Sequence, residues 1–257
     1  PSRYKRHRST ILDVYKRQHC LIVTAAIHDN YFISGIIPVL NEEKNINRLL
    51  EQLNQLGNNA AYEIIVVDGG SHDQTVSVAQ KSASVYQLKQ ANRGAQLHYG
   101  AEKSSGDILW FLHSDSRIGS TQNLLEQMQN VLQQEHCSAG FFALSFDSTD
   151  FFYRYLAVTS NLRARYLGLI FGDQGLFTTR KAYEKAGGFE SIPLMEDWRL
   201  SRRLKKLGNF YQIPIPIMTS SRRFKKGKLR THLKMHKIKL LYLMGMSPEK
   251  LAQRYYK

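Results

Sequence analysis

Four short apolar runs, each followed by a polar or amphipathic stretch, constrain this chain more than any other feature. They are Phe32 to Leu40, Glu63 to Val67, Ser84 to Leu88 and Ile108 to Leu112. Short runs of β-branched and aromatic residues bounded by turn formers read as strands. After the first, Ile46, Leu49, Leu50, Leu53 and Leu56 recur at helical spacing, with Gly57 as the expected stop. Ser71 and Gln74 form a capping-box signature for a second helix, and Arg93 to Lys103 predicts a third. Such alternation calls for an α/β fold with a mostly parallel, doubly wound sheet, because parallel strands need crossover connections. Hydrophobic residues make up 42% of the 257, which supplies a full core and excludes global disorder.

The second half departs from the alternation. It predicts a helix over Thr121 to Gln134, a strand over Phe141 to Phe146 and an aromatic, arginine-bearing helix over Phe152 to Tyr166. A strand at Leu176 to Thr179 and a short helix at Arg180 to Ala186 follow. Another helix opens at Pro193-Leu-Met-Glu-Asp197, with Leu200, Leu204 and Leu207 on one face. Phe210 to Ile217 carries Pro214 and Pro216 and is expected at a sheet edge. This half reads as decoration of the same sheet. Residues 1–18 look like translated adapter sequence and are set aside from fold reasoning.

The chemistry concentrates where strands end. Ile108 to Leu112 stops abruptly at His113, Ser114 and Asp115. Ligands in open α/β sheets bind outside the carboxyl ends of the strands. A carboxylate there suits a hard divalent cation that completes its shell with substrate phosphates. Equally, Asp115 could cap the following helix. The first strand runs into Pro38-Val-Leu-Asn41-Glu42-Glu43, not a glycine-rich loop, which argues against a nicotinamide or flavin enzyme. Pro38 places that strand end at an edge or an irregularity. Asn41 is the expected N-cap, and Glu42 and Glu43 suit the positive end of the helix. Asp68-Gly69-Gly70 is a turn that could also present Asp68 to a ligand.

A net charge of +15 favours an anionic partner: phosphorylated substrate, anionic lipid or nucleic acid. Cys20 and Cys137 lack metal-ligand spacing, and a reducing compartment fits. No apolar run approaches the roughly 18 residues of a membrane span. Arg222 to Lys239 carries nine Lys and Arg, followed by Leu240, Leu241, Leu243 and Met244. Such a tail either lies on an anionic membrane or packs on the domain.

Five stretches in order carry a family resemblance: IIPVLNEE (36–43), EIIVVDGGSHD (63–73), GDILWFLHSDS (106–116), GDQG (172–175) and MEDWRLSRRLKKLG (195–208). Together they resemble the family 2 glycosyltransferases of GT-A fold, and within them the bacterial radical-SAM/selenodomain-associated branch. The resemblance implies a nucleotide-diphosphate sugar donor and a divalent metal, Mn or Mg. It implies that Pro38, Asn41, Glu42, Asp68, Arg93, Ser114 and Asp115 bind the donor. Asp115 matches the second Asp of the Asp-x-Asp metal motif, with His113 in place of the first, either a ligand or a hydrogen-bonding neighbour. Asp197, beside Glu196, matches the catalytic base. Asp173 and Gln174 would lie on the acceptor side. Arg222 and Phe224 resemble a truncated Gln-x-x-Arg-Trp motif there, lacking its Gln and with Phe for Trp.

The expected organisation is a leader over 1–31, one GT-A domain over 32–221 and a basic amphipathic helical tail over 222–257. Within the domain, 32–118 form the nucleotide-binding half and 119–221 the acceptor half. The expected activity is inverting, metal-assisted transfer from a UDP-linked sugar to a hydroxyl of an unnamed acceptor, in the cytoplasm, with peripheral contact to anionic membrane. The alternatives are a donor-binding homologue without turnover, which His113 suggests, and a sugar-phosphate nucleotidyltransferase, which would want a glycine-rich, lysine-bearing loop. A nucleic-acid-binding module has only the charge in its favour and no reading motif, so no nucleic-acid partner is expected.

Overall fold

The computed structural model describes residues 31–56, 62–224 and 227–256. The leader over 1–30 and the expected helix stop at Gly57 lie outside these. Tyr31–Lys257 form one compact unit.

One eight-stranded sheet runs in the order β3-β2-β1-β4-β7-β6-β8-β5. Its first half is parallel: β1 (Ile33–Val39), β2 (Tyr62–Asp68), β3 (Ser84–Gln87) and β4 (Ile108–Phe111). Helices α1 (Glu43–Asn54), α2 (Thr75–Ala79) and α3 (Arg93–Lys103) make the crossovers. Beyond β4 the sheet becomes mixed. β7 (Phe177–Thr179) is antiparallel to both β4 and β6 (Cys137–Phe146). β6 pairs in parallel with β8 (Asn209–Thr219), and β5 (Arg117–Ile118) closes the edge antiparallel to β8.

Both faces of the sheet are covered, which is why its central strands read as unbroken apolar runs. On one face Ile33, Ile37, Ile108 and Trp110 pack with Leu49 and Leu50 of α1 and Leu124 and Met128 of α4 (Leu124–Leu132). On the other, Ile36, Leu109 and Phe111 pack with Leu97 of α3 and Leu200 and Leu204 of α7 (Glu196–Leu207). α5 (Phe151–Leu167), α6 (Arg180–Lys185), α8 (Lys228–Leu243) and α9 (Pro248–Tyr256) complete the second half.

Several local expectations are corrected. Pro38 lies in a central strand, not at an edge, and the other alternative, an irregular strand end, holds. Ile36 O accepts from Leu112 and Val39 O from Gly69, so Pro38 faces the β4 side. The β1–β4 pairing ends at Ile36 and Phe111, and no donor is needed there. Asn41 is not the helix cap. It adopts a left-handed φ of 54°, one residue before the cap position, and its Oδ1 accepts from His72 N at 2.9 Å. The Ser71–Gln74 capping box is not made, because Ser71 Oγ accepts from Asn41 N at 2.8 Å and donates to Asp68, and α2 begins only at Thr75. The strand carrying Pro214 and Pro216 is not at the edge where it is expected: β8 pairs with β6 on one side and with β5 on the other, and the prolines fall at the register shift between Phe142 and Ala143.

Candidate active site

In this sheet the strand order reverses between β1 and β4, since β1 connects to β2 on one side and β4 lies on the other. That is where α/β sheets bind ligands. Asn41 and Glu42 leave the end of β1, and His113, Ser114 and Asp115 leave the end of β4.

The expected site residues gather into two adjoining groups. The first joins Arg93, His113, Glu196 and Asp197. Arg93 forms an ion pair with Glu196 and another with Asp197 Oδ2 at 3.1 Å. Its Nη1 lies 3.4 Å from His113 Nε2. Guanidinium can only donate, so this nitrogen of His113 is the acceptor. Burial, with Arg93, Arg223 and Arg222 nearby, holds the His113 pKa well below its usual value, and the ring is neutral. Asp197 and Glu196 open α7 and are both buried. Gly172 N donates to Asp197 Oδ2 at 3.1 Å, so both donors converge on Oδ2, and among the described residues none donates to Oδ1, which can take a proton. Burial pushes the Asp197 pKa up to about 7, against the lowering effect of Arg93; Glu196, Gly172 and Asp173 act in smaller measure. A carboxylate near 7 is tuned for proton transfer at neutral pH.

The second group joins Glu42, Asp115 and Arg222. Arg222 donates to Glu42 Oε1 at 2.5 Å and to Oε2 at 3.2 Å, and lies 3.5 Å from Asp115 Oδ2. Burial raises the Asp115 pKa, opposed by Arg222. Arg222, expected on the acceptor side, lies against Glu42 and Asp115, two residues expected to bind the donor. Phe224 was expected there as well, but it is buried against Phe146, Phe152 and Tyr153 and presents no ring to a ligand.

Asp68 is fully buried and accepts from Gly70 N, Ser71 N and Ser71 Oγ, so its oxygens close their own turn. Ser114 is buried as well. Gln174 is buried and braces α5, accepting from Arg163 Nη2 at 2.9 Å and donating to Asn161 Oδ1 at 3.3 Å. Asp173 Oδ1 is buried without a hydrogen-bond partner.

Among the described residues no three His, Cys, Asp or Glu side chains converge on a metal position. Asp115, largely buried with 16% of its side chain exposed and Arg222 3.5 Å from its Oδ2, fits a divalent cation that draws its other ligands from a diphosphate. His113 fits poorly, because its Nε2 lone pair already faces Arg93.

Sequence reasoning missed Gly172 N–H as a donor to Asp197, and the cations Arg163 and Lys239 beside it. Arg163 Cζ stands 3.9 Å and Lys239 Nζ 5.1 Å from the Phe171 ring centroid. They come from α5 and α8, far apart in sequence, and no spacing links them.

The sequence profile of glycosyl transferase family 2 matches residues 34–188, more than half of the chain. The chain belongs to glycosyltransferase family 2. It is 38% identical over 92 residues to glycosyltransferase AglE of Haloferax volcanii, covering 33% of this chain and 30% of that protein. It is 32% identical over 112 residues to 4,4'-diaponeurosporenoate glycosyltransferase of Staphylococcus haemolyticus, covering 40% and 29%. The matches thus span less than a third of either relative's length. Among solved structures, S. aureus TarS with UDP superposes with a TM-score of 0.59 at 17% identity, over 74% of this chain and 60% of that one. Glucosyl-3-phosphoglycerate synthase of Mycobacterium tuberculosis, with Mn2+, UDP and glucosyl-3-phosphoglycerate, superposes at 0.53 and 21% identity, over 83% and 77%. At such identities the likeness establishes the fold, and the fold is GT-A.

Proposed function

We propose that this chain transfers a sugar, with inversion, from a UDP-linked donor to an acceptor hydroxyl. The observation that carries the reading is Asp197: a buried carboxyl at about pKa 7, at the head of a rigid helix, with Oδ2 held by Arg93 and Gly172 and Oδ1 open. Asp197 takes the hydroxyl proton as the acceptor oxygen bonds to the anomeric carbon. The bond from that carbon to the diphosphate breaks, and UDP leaves with the electron pair. Arg222 lies where it can exchange Glu42 for the leaving diphosphate. Asp115 would hold the divalent cation, which supplies charge stabilisation for the leaving group when bound. UDP in both structural neighbours and Mn2+ in one support this donor and metal. Pro38, Asn41 and Ser114 line the strand ends beside this position, and we assign them, with Asp68 shaping the turn behind, to the donor side. The five-motif pattern supports membership of the radical-SAM/selenodomain-associated branch.

For the partner surface, no described helix is long and apolar enough to cross a membrane. Two neighbouring helices nevertheless expose apolar stripes at helical spacing: Phe151, Tyr155, Val158 and Leu162 on α5, and Leu229, Leu233, Leu240 and Leu243 on α8. They meet through Tyr155 and His232. Neither helix contains an acidic residue, and between them they carry eight Lys and Arg. A second copy would bring like charges together. An anionic lipid surface matches both the stripe and the charge. Flotation with vesicles containing anionic lipid tests this, and absence of binding at low salt overturns it. A thermal-shift screen of nucleotide sugars with Mn2+ tests the donor assignment. UDP-sugars are expected to stabilise the wild-type chain, and no stabilisation by any nucleotide sugar overturns it.

A further inference from the structure

Several cations of this protein have an acidic partner. Arg93 pairs with Glu196 and Asp197, Arg199 and Arg203 with Glu190, and Arg222 with Glu42. Arg163 and Lys239 have none: among the described residues neither forms an ion pair. Both are half-buried and both lie over the Phe171 ring. Arg163 donates Nε to Leu169 O and Nη2 to Gln174 Oε1, neutral acceptors that fix the guanidinium without neutralising it. Taking charge out of water without compensation is costly, and it persists where something else supplies the counter-charge. The nearby acids are Asp173, which favours the charged forms of both cations through space, and Asp197, which favours that of Arg163; neither bridges to either cation. Burial and Arg163 together push the Lys239 pKa down to about 8.

The position of the pair relates it to the chemistry. Phe171 stacks on Trp198, next to Asp197, at 6.1 Å between centroids. The turn Gly172–Gln174 that follows Phe171 donates to Asp197 through Gly172 and accepts Arg163 through Gln174. Asp173 Oδ1, in the same turn, is buried and unpartnered.

Building on the proposed glycosyl transfer, we infer that Arg163 and Lys239 form an acceptor subsite for an anionic group, phosphate or carboxylate, borne a few bonds from the attacking hydroxyl. The anion seats between the two cations beside Phe171. Asp173 Oδ1 accepts from a further hydroxyl or N–H of the acceptor, which makes the subsite selective for a hydroxylated anion over a bare one. Anchoring the charge there leaves the acceptor hydroxyl to reach Asp197 Oδ1.

Inorganic phosphate and glycerol 1-phosphate are the probes, titrated by calorimetry against the full chain and against Lys239→Met. Saturating UDP with Mn2+ is present so that the diphosphate position is filled. Glycerol 1-phosphate is expected to bind the wild type and to bind Lys239→Met about tenfold to a hundredfold more weakly, the loss of one charge-assisted contact. Arg163→Lys, which keeps the charge but not the fork, gives a smaller loss. UDP affinity is expected to be equal in all three proteins. Absence of Lys239-dependent binding both to glycerol 1-phosphate and to vesicles bearing phosphatidic acid, or equal binding of glycerol 1-phosphate by Lys239→Met, overturns the subsite. Failure of UDP itself to bind the wild type overturns the glycosyl-transfer reading instead, and the phosphate comparison between wild type and variant still decides the subsite. Vesicles bearing phosphatidic acid form a second arm. Lys239-dependent binding to the vesicles without binding of glycerol 1-phosphate places the anion on a lipid headgroup, and the reverse places it on a soluble acceptor.

Discussion

Removing Arg93 gives the sharpest expectation for the buried acid pair. Its Nη2 stands 3.1 Å from Asp197 Oδ2 in a buried setting. Opposite charges about 4 Å apart interact by about 4 kcal/mol at an effective dielectric of 20, which is about 3 pKa units. Arg93 is shared with Glu196 and its own side chain is partly exposed, so about half of that is retained after screening. Arg93→Met is therefore expected to raise the Asp197 pKa by about 1–2 units above its present value of about 7. Only the ionised carboxylate accepts the hydroxyl proton, so activity falls as pH drops below this pKa. For the wild type, kcat/KM is expected to rise with pH through a limb near 7. In Arg93→Met the limb moves to higher pH, so a deficit of about tenfold or more at pH 7 closes as pH approaches 9. Glu196→Gln gives the opposite sign: it removes an effect that raises the Asp197 pKa, and the limb moves to lower pH. A limb that stays in place in both variants, or moves the same way in both, refutes the coupling. A deficit in Arg93→Met that is constant with pH would show that Arg93 acts on the donor and not on the acid.

Asp197→Asn is expected to lower turnover by about 10²–10⁴-fold while leaving UDP affinity nearly intact, measured by initial rates and calorimetry. Asp115→Ala is expected to abolish Mn2+-dependent binding of UDP, and undiminished metal-dependent affinity would remove Asp115 from the metal position. Gly172→Ala would put a Cβ 2.1 Å from His113 Nε2, so overpacking should cost about 1–3 kcal/mol in denaturant unfolding and displace the N–H that holds Asp197.

The half of the sheet that alternates with helices was legible because two covered faces leave long apolar strands, as in Ile33–Val39 and Ile108–Phe111. Helix α7 was legible from Leu200 and Leu204 at helical spacing. Local caps were not. Asn41 and Ser71 carry the right side chains for helix termini, but tertiary partners 30 or so positions away took their hydrogen-bonding groups. Pro38 was half legible: its strand end is irregular, but whether a strand residue needs its N–H depends on where the neighbouring strand ends, and β4 ends early. At the site, Asp197 and Asp115 stood out as carboxylates beside rigid elements. Their partners were not readable, because Arg222 reaches Glu42 across 180 positions and Gly172 meets Asp197 through a backbone N–H that no side chain announces.

The most direct measurement is the fate of the donor when water stands in for the acceptor. Wild-type chain, UDP-glucose and Mn2+ are followed by ¹H NMR during the first turnovers, with Asp197→Asn in parallel. The expected result is slow release of UDP, with the freed sugar appearing first as the β anomer from the α-linked donor and both signals suppressed in Asp197→Asn. UDP-galactose and UDP-N-acetylglucosamine are run alongside, so that donor choice does not mask the outcome. The α anomer appearing first, release undiminished in Asp197→Asn, or no UDP from any of the donors would contradict inverting transfer with Asp197 as the base.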